Sequence, residues 1–261
     1  MIRVTDARAR TLELRRPAAR IVSLVPSQTE LLASLGLDEE VVGLTRFCVR
    51  PAGWKDSKQI VGGTKTLRID RVRALRPDLV LANREENTQA DIETLDALTS
   101  VFVTDVSTIE EADAMIEAVA LLAGRGDEGR SLRMGISEAF GDLPVYGRIR
   151  AAYLIWDDPL MTVGGDTFIH DVMRRGGFEN VFGGRSRYPE ISEAELADAA
   201  PDVLLLPDEP YPFSEEHAPR FRRLLRDAAV HCVDGQAFSW YGSRLIHSPG
   251  ALRRLREQVG I

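Results

Sequence analysis

The chain has 261 residues, with 33 Lys and Arg against 40 Asp and Glu, so its formal net charge is −7. Its apolar content of 44% and charged content of 28% are typical of a folded protein with one large domain or two ordinary ones. The negative charge argues against a nucleic-acid-binding protein, which needs a basic surface. Residues 1–20 lack the apolar core of a secretory signal, and no later stretch is apolar enough to span a membrane, so the sequence as written indicates a cytoplasmic chain.

The first half of the chain alternates short apolar runs with helical patterns. Residues 1–20 alternate polar and apolar side chains, as an edge strand or a hairpin does. Ser27 and Glu30 have the spacing of a capping box, and Thr108 and Glu111 repeat it. The predicted strands are 21–25, 41–44, 79–82 and 101–104, and the predicted helices follow Ser27 up to Gly36 and lie near 70–75, 88–98 and 109–123.

The second half repeats the pattern of the first. Pro77-Asp78 and Pro201-Asp202 each follow a helical stretch and precede a short apolar run and an acidic loop. Ser192 and Glu195 form a third capping box, and the last helix is expected to begin at Ser248-Pro249. Two similar halves of this kind predict two similar lobes.

Glycines interrupt the alternation between the halves, at Gly124 and Gly126. Residues 126–143 read as one more helix without a strand partner, and the alternation restarts at Ala151. We therefore predict an α/β fold of two Rossmann-like lobes with parallel sheets and a ligand cleft between them. The predicted parts are an N-terminal lobe (1–125), a connecting helix (126–143) and a C-terminal lobe (144–261).

The motifs of common enzymes are missing from the sequence. It contains no glycine-rich nucleotide loop, no G-x-S-x-G elbow and no H-E-x-x-H. The four histidines have no metal-ligand spacing, so no metal site and no cofactor are expected. Cys48 and Cys232 are too few for a disulfide framework, which leaves a single bridge between them open.

Aromatic and charged side chains instead follow the predicted strands of both lobes, where open α/β sheets bind ligands. One such ring could simply pack its loop, but the whole set favours binding of a planar or bulky polar ligand. Arg244 could pair with a ligand carboxylate or phosphate, or equally with a neighbouring acid. The candidate ligand-binding residues are Phe47, Cys48, Lys65, Asn83, Arg84, Glu85, Trp156, Met161, Tyr188, Glu209, Tyr211, Trp240, Tyr241 and Arg244.

Several longer motifs carry a family resemblance. They are RIVSLVPSQTELLASLG, VGGT followed by RIDRVRALRPDLVLA, MTVGGDTFIHDVMRRGGFENVF and PEISEAELADAAPDVLLLP. Together they resemble the helical-backbone (class III) solute-binding proteins of ABC importers, which bind cobalamin, ferric siderophores or haem, and most closely the cobalamin-binding branch. The resemblance implies two lobes joined by one long helix, and a ligand held without chemistry, so no enzyme.

The resemblance carries over to only part of the candidate site. Tyr188, Trp240-Tyr241 and Arg244 match aromatic and arginine positions of the cobalamin binders. Lys65 and Asn83-Arg84 stand where those proteins have aromatic residues. This difference, together with Phe47, Cys48 and the loop of residues 83–87, suggests a smaller and more polar ligand, either positively charged or metal-chelated.

The resemblance also implies partners. Asp70 lies where the first lobe of such proteins contacts an ABC permease, and Glu193 and Glu195 flank the second position, so these acids are candidate docking residues. We expect a monomer. The family resemblance implies a location outside the cytoplasm, although no leader is visible in the sequence as written. The alternatives are a cytosolic carrier or sensor, or an enzyme that acts on a metal complex with Glu85, Glu86 or Glu209.

Overall fold

A computed structural model describes residues 1–260 as two compact units. Unit 1 comprises Met1–Val106, Glu110–Ile136 and Tyr241–Arg244, and unit 2 comprises Ser107–Ile109, Ser137–Trp240 and the described residues from Leu245 onward. The chain thus passes from one unit to the other more than once.

Unit 1 contains a hairpin and a five-stranded sheet. The hairpin pairs β1 (Ile2–Thr5) with β2 (Thr11–Leu14), which confirms the prediction for residues 1–20. The sheet is parallel throughout, in the order β5-β4-β3-β6-β7. Its strands are β3 (Ile21–Ser23), β4 (Val41–Leu44), β5 (Gln59–Ile60), β6 (Leu79–Asn83) and β7 (Ser100–Thr104).

Helices alternate with these strands, as the sequence predicts. They are α1 (Pro26–Ser34), α2 (Trp54–Ser57), α3 (Ile69–Leu75), α4 (Gln89–Asp96), α5 (Ile109–Leu122) and the start of α6 (Gly126–Gly141). All five positions of β6 are buried, because a parallel strand is covered by helices on both faces. Its inner side chains pack with Val22, Val72 and Ile92 in one apolar core.

The capping box predicted at Ser27 and Glu30 is wrong. The helix begins earlier, at Pro26, and its N-cap Val25 makes no side-chain cap hydrogen bond. Proline suits this position because its fixed φ is helical and it has no N–H to leave unpaired. Ser27 is therefore buried inside the first turn, and Glu30 is available for an ion pair with Arg244.

Helix α6 packs closely on α5 within unit 1. A Cβ placed on Gly129 would lie 2.4 Å from the Cβ of Ala120, so only glycine allows this approach. Arg133 then bridges the helices through ion pairs with Asp113 at 2.6 Å and Glu117 at 2.8 Å. The residues of α6 up to Ile136 belong to unit 1 and its last residues to unit 2.

Unit 2 repeats the parallel arrangement with four strands in the order β10-β8-β11-β12, and a short fifth strand, β9, pairs antiparallel with β8. The strands are β8 (Ile149–Trp156), β9 (Met161–Thr162), β10 (Phe178–Asn180), β11 (Val203–Pro207) and β12 (Ala229–Val233). The helices are α7 (Phe168–Arg175), α8 (Glu193–Asp198), α9 (Ala218–Leu224), α10 (Gln236–Ser239) and α11 (Ser248–Val259).

The two helix starts predicted in unit 2 are both confirmed, unlike the capping box at Ser27. Ser192 and Glu195 form a reciprocal capping box at the start of α8. Helix α11 begins at Ser248 with Pro249 in its first turn. The strand and helix alternation confirms the predicted α/β class with parallel sheets.

Cys48 and Cys232 are both free thiols, so the bridge left open above does not form. Among residues 1–260, none of the helices is both long enough and apolar enough to cross a membrane.

Candidate ligand-binding site

The candidate residues lie mainly in loops that follow the carboxyl ends of the parallel strands. In unit 1 these loops follow β4, β5 and β6, and in unit 2 they follow β8, β11 and β12. In a parallel sheet these ends share one edge, so loops far apart in the sequence become neighbours within each unit. The two edges are described separately.

Two buried asparagines organise the loop after β6. The side-chain oxygen of Asn83 accepts hydrogen bonds from the backbone N–H groups of Glu85 at 2.8 Å and Glu86 at 3.2 Å. Its amide nitrogen donates to the backbone and side-chain oxygens of Thr104, both at 3.2 Å. Asn87 accepts from the backbone N–H of Asn83 at 2.8 Å. Asn83 therefore shapes the loop rather than presenting its amide to solvent.

The same loop is tied to the turn after β5. Asn87 donates to the backbone oxygen of Thr64 at 3.1 Å, and the Lys65 ammonium donates to the backbone oxygen of Glu85. Lys65 is exposed, and Glu85 is half-buried. The two neighbouring loops thus share a polar network, which holds the Lys65 ammonium at the carboxyl end of the sheet.

Phe47 and Cys48 follow β4 but face opposite environments. The Phe47 side chain is 48% exposed, whereas Cys48 is fully buried. The Cys48 sulfur lies 3.0 Å from the Thr29 hydroxyl and 3.2 Å from that of Thr45. Burial raises the pKa of this thiol, which keeps it neutral. This placement favours a structural role for Cys48 and leaves Phe47 as the ring open to a ligand.

Two predicted cations are paired with acids of their own unit. Arg244 forms a two-pronged ion pair with Glu30, in which Nε donates at 2.9 Å. Arg84 donates to Asp105 at 2.9 Å. Of the two partners left open for Arg244, the structure shows the neighbouring acid.

Tyr241 is buried and belongs to unit 1. Its hydroxyl donates to the carboxylate of Glu86 at 3.5 Å. Glu86 is half-buried, so this contact links the segment 241–244 to the loop after β6. Tyr241 therefore also helps to position that loop.

Aromatic rings organise the edge of unit 2. Trp156, at the end of β8, packs edge-on against Tyr211 with ring centroids 5.5 Å apart, and Tyr211 packs on Phe213 at 4.6 Å. The backbone N–H of Ser214 donates to Nδ1 of His217 at 3.1 Å, which ties His217 to the same loop. The Trp156 ring remains 41% exposed.

Glu209 and Trp240 contact each other in the same unit. The Glu209 carboxylate accepts hydrogen bonds from the Trp240 indole N–H and from the Gln236 side chain at 3.2 Å. Burial raises the pKa of the Glu209 carboxyl above its ordinary value, and these hydrogen bonds act against that rise. Trp240 is only 7% exposed, so in this arrangement its ring is largely covered.

The remaining candidates lie beside this cluster. Met161 starts β9, where it pairs with Trp156 and forms a bridge with Glu190. Tyr188 is half-buried in the loop that precedes α8. Asn87 and His217 were missed by sequence reasoning as loop-shaping residues. A polar residue four positions after Asn83 was the only sequence signal for Asn87, and no sequence signal pointed to His217.

The three candidate docking acids differ in their partners. The Asp70 side chain is 71% exposed and lies 3.6 Å from Arg68. Glu193 pairs with Arg220 at 2.6 Å. Glu195 is held by the capping box and by Arg185, which lowers the pKa of its carboxyl to about 2. Asp70 is thus the most available of the three.

Throughout the described chain, the side chains of His, Cys, Asp and Glu form no group of three suited to hold a metal ion. The geometry therefore offers rings, amides and charges for non-covalent contact with a ligand.

The chain is similar to known proteins over most of its length. A vitamin B12-binding protein of Vibrio campbellii is 26% identical over 194 residues, which cover 72% of this chain and 70% of that relative. Among solved structures, the periplasmic vitamin B12 binding protein BtuF of Vibrio cholerae has a TM-score of 0.80 at 19% identity, covering 93% of this chain and 98% of that one.

A periplasmic heme-binding protein, BhuT, solved in complex with two hemes, has a TM-score of 0.81 at 24% identity and covers 94% of this chain and 100% of that one. These similarities to solved structures show that the fold is shared. The periplasmic binding protein model matches residues 21–230, which is well over half of the sequence. The chain belongs to the periplasmic binding protein family.

Proposed function

We propose that this chain is the substrate-binding protein of an ABC-type importer and that it captures a bulky organic ligand, a corrinoid, a haem or a related metal chelate, without chemistry. The family assignment supports the binding role. The names of its relatives, which bind vitamin B12 or heme, support the ligand class.

The observation that carries this proposal is an exposed ring at the carboxyl edge of each sheet. Phe47 in unit 1 is 48% exposed, and Trp156 in unit 2 is 41% exposed although it is held by Tyr211. Apolar rings left open to solvent beside polar groups suit a ligand with flat, apolar faces.

The test is a titration of the full chain with cyanocobalamin and with hemin, followed by absorbance and tryptophan fluorescence. Trp156→Ala should weaken binding by about 1–3 kcal/mol if the ring is a central contact. Met134→Ala is the matched control, because Met134 is an exposed apolar side chain on α6, outside the strand-end loops. Wild-type affinity in Trp156→Ala would remove this ring from the site.

The variant Trp240→Ala distinguishes a structural role of Trp240 from direct contact with the ligand. Because the indole is covered and bonded to Glu209, we expect a loss of thermal stability together with weaker binding. Unchanged stability with weaker binding would instead make Trp240 a direct ligand contact. Bound ligand recovered after incubation should be chemically unchanged, and a modified product would contradict the non-enzymatic role.

For the permease we propose Asp70 as the docking contact of unit 1. Its exposure supports this, whereas Glu193 and Glu195 are engaged with Arg220 and Arg185. Asp70→Lys should weaken association with the cognate permease in membranes and leave ligand affinity unchanged. Unchanged association would remove Asp70 from the interface.

A further inference from the structure

One cation at the edge of unit 1 differs from the others discussed above. Arg46 lies two positions after Leu44, the last residue of β4, and its side chain is exposed. Among the described residues its guanidinium forms no ion pair, unlike Arg84 with Asp105 and Arg244 with Glu30. Its charge is therefore not balanced through an ion pair with any acid among residues 1–260.

This guanidinium nevertheless lies over the aromatic ring of its neighbour Phe47. Its central carbon lies 5.0 Å from the centroid of the Phe47 ring, a cation–π contact. The backbone N–H of Arg46 donates to the oxygen of Gly62 at 2.9 Å, which anchors the residue to the turn after β5. A guanidinium stacked on a ring keeps the N–H groups on its edge free to donate.

The turn after β5 leaves room for this arrangement. A Cβ on Gly63 would lie 3.2 Å from a terminal nitrogen of Arg46 and 3.1 Å from the Phe47 ring. The turn closes through paired backbone hydrogen bonds between Gly63 and Thr66, at 3.1 and 3.3 Å. Lys65 lies inside this turn, so a second cation flanks the same segment.

We propose that Arg46, assisted by Lys65, binds an acidic group of the ligand, a carboxylate or a phosphate. The inference rests on the proposed function and refines its ligand class. Planar guanidinium edges match the two oxygens of such groups, and a side chain that already lies over a ring loses less freedom on binding them. The Lys65 ammonium donates to the backbone oxygen of Glu85, so it adds a second positive charge beside that of Arg46.

The first experiment compares probes with and without the acidic group. Hemin carries two carboxylates and its dimethyl ester none, while cyanocobalamin carries a phosphodiester and dicyanocobinamide none. Arg46→Gln should weaken binding of the probe that carries the recognised group by about tenfold or more and leave binding of the counterpart that lacks this group unchanged. Lys65→Gln should have a smaller effect in the same direction.

The matched control is Arg148→Gln. Arg148 is also exposed and forms no ion pair among the described residues, but it precedes β8 at the amino end of that strand. It should bind all four probes as the wild type does. The hemin pair and the cobalamin pair identify the carboxylate or the phosphodiester as the source of the charge. Two results would overturn the proposal. The first is that wild type and Arg46→Gln bind the acidic probes with equal affinity. The second is that the wild type binds only the probes that lack the acidic group.

If the wild type binds none of the four probes, the proposed ligand class is contradicted. A second measurement then tests the role of Arg46 by itself. The Arg46 Nε–H signal in nitrogen-15 NMR is assigned by its loss in Arg46→Gln. Addition of citrate or inorganic phosphate at low ionic strength should then shift this signal more than that of Arg148. Equal shifts of the two signals would overturn the role of Arg46 independently of the larger ligands.

Discussion

The strand-end loops of the two units occupy equivalent places on two parallel sheets, yet different forces hold them. In unit 1 the loop after β6 is fixed by the amides of Asn83 and Asn87, which satisfy backbone groups. In unit 2 the loop after β11 is fixed by packing of Tyr211 on Phe213 and His217. In unit 2, Tyr211 and Phe213 therefore serve to pack their loop, whereas Trp156 remains exposed.

The largest expected effect tests the ring packing of unit 2. Phe213 is buried in the core of that unit and contacts both Tyr211 and Phe221. Phe213→Ala should lower the free energy of unfolding by about 3–5 kcal/mol, because it leaves a cavity in the core. Urea denaturation measures this value.

The control for that substitution lies in unit 1. Phe47→Ala removes an exposed ring and should change the free energy of unfolding by no more than about 0.5 kcal/mol. If Phe213→Ala and Phe47→Ala lowered the free energy of unfolding by similar amounts, ring packing would not distinguish unit 2 from unit 1.

A smaller effect tests the amide network of unit 1. Asn83→Ala removes the acceptor of the Glu85 and Glu86 N–H groups and the donor to Thr104. We expect a loss of about 2 kcal/mol in the free energy of unfolding, since buried partners are left unpaired. Gln89→Ala, on the exposed first turn of α4, should have little effect. A neutral Asn83→Ala would show that the loop is held by other contacts.

The smallest effect concerns pH and the start of α8. Arg185 and the capping box lower the pKa of Glu195 from its ordinary 4.5 to about 2. A carboxyl with a depressed folded-state pKa stabilises the fold above the unfolded pKa, and this contribution is lost as the pH falls from about 4.5 towards 2. Glu195→Gln should therefore flatten the fall in stability over this window.

Thermal unfolding across that pH range measures the effect. Arg185→Gln should flatten the same window in part, because Arg185 is the main cause of the low pKa. Identical pH profiles in wild type and Glu195→Gln would contradict the assignment.

The alternation of strands and helices was predictable because its causes are local. The apolar runs at β3, β4, β6 and β7 and the capping box at Ser192 are signals within a few residues, and each lies within two residues of its predicted place. The error at Ser27 has a local cause as well. Pro26 also favours a helix start, and in the structure it prevailed over the capping pattern.

The candidate site was predictable in its loops and not in its individual side chains. Phe47, Lys65 and Trp156 lie at strand ends and are open to solvent, as the sequence suggested. The same rule placed Cys48 in the site, although its thiol is buried between Thr29 and Thr45. Sequence position locates a loop but does not say which way each side chain turns.

By itself the sequence determined the fold class, the alternation of the main strands and helices along the chain, and the loops that carry aromatic and charged residues. Only the tertiary structure decided which charges are balanced. Arg244 meets Glu30, which lies 214 positions away in the chain, while Arg46 meets the ring of its neighbour Phe47. The physical reason is that an ion pair depends on distance in space, which a chain folded through parallel crossovers does not reveal in its linear order.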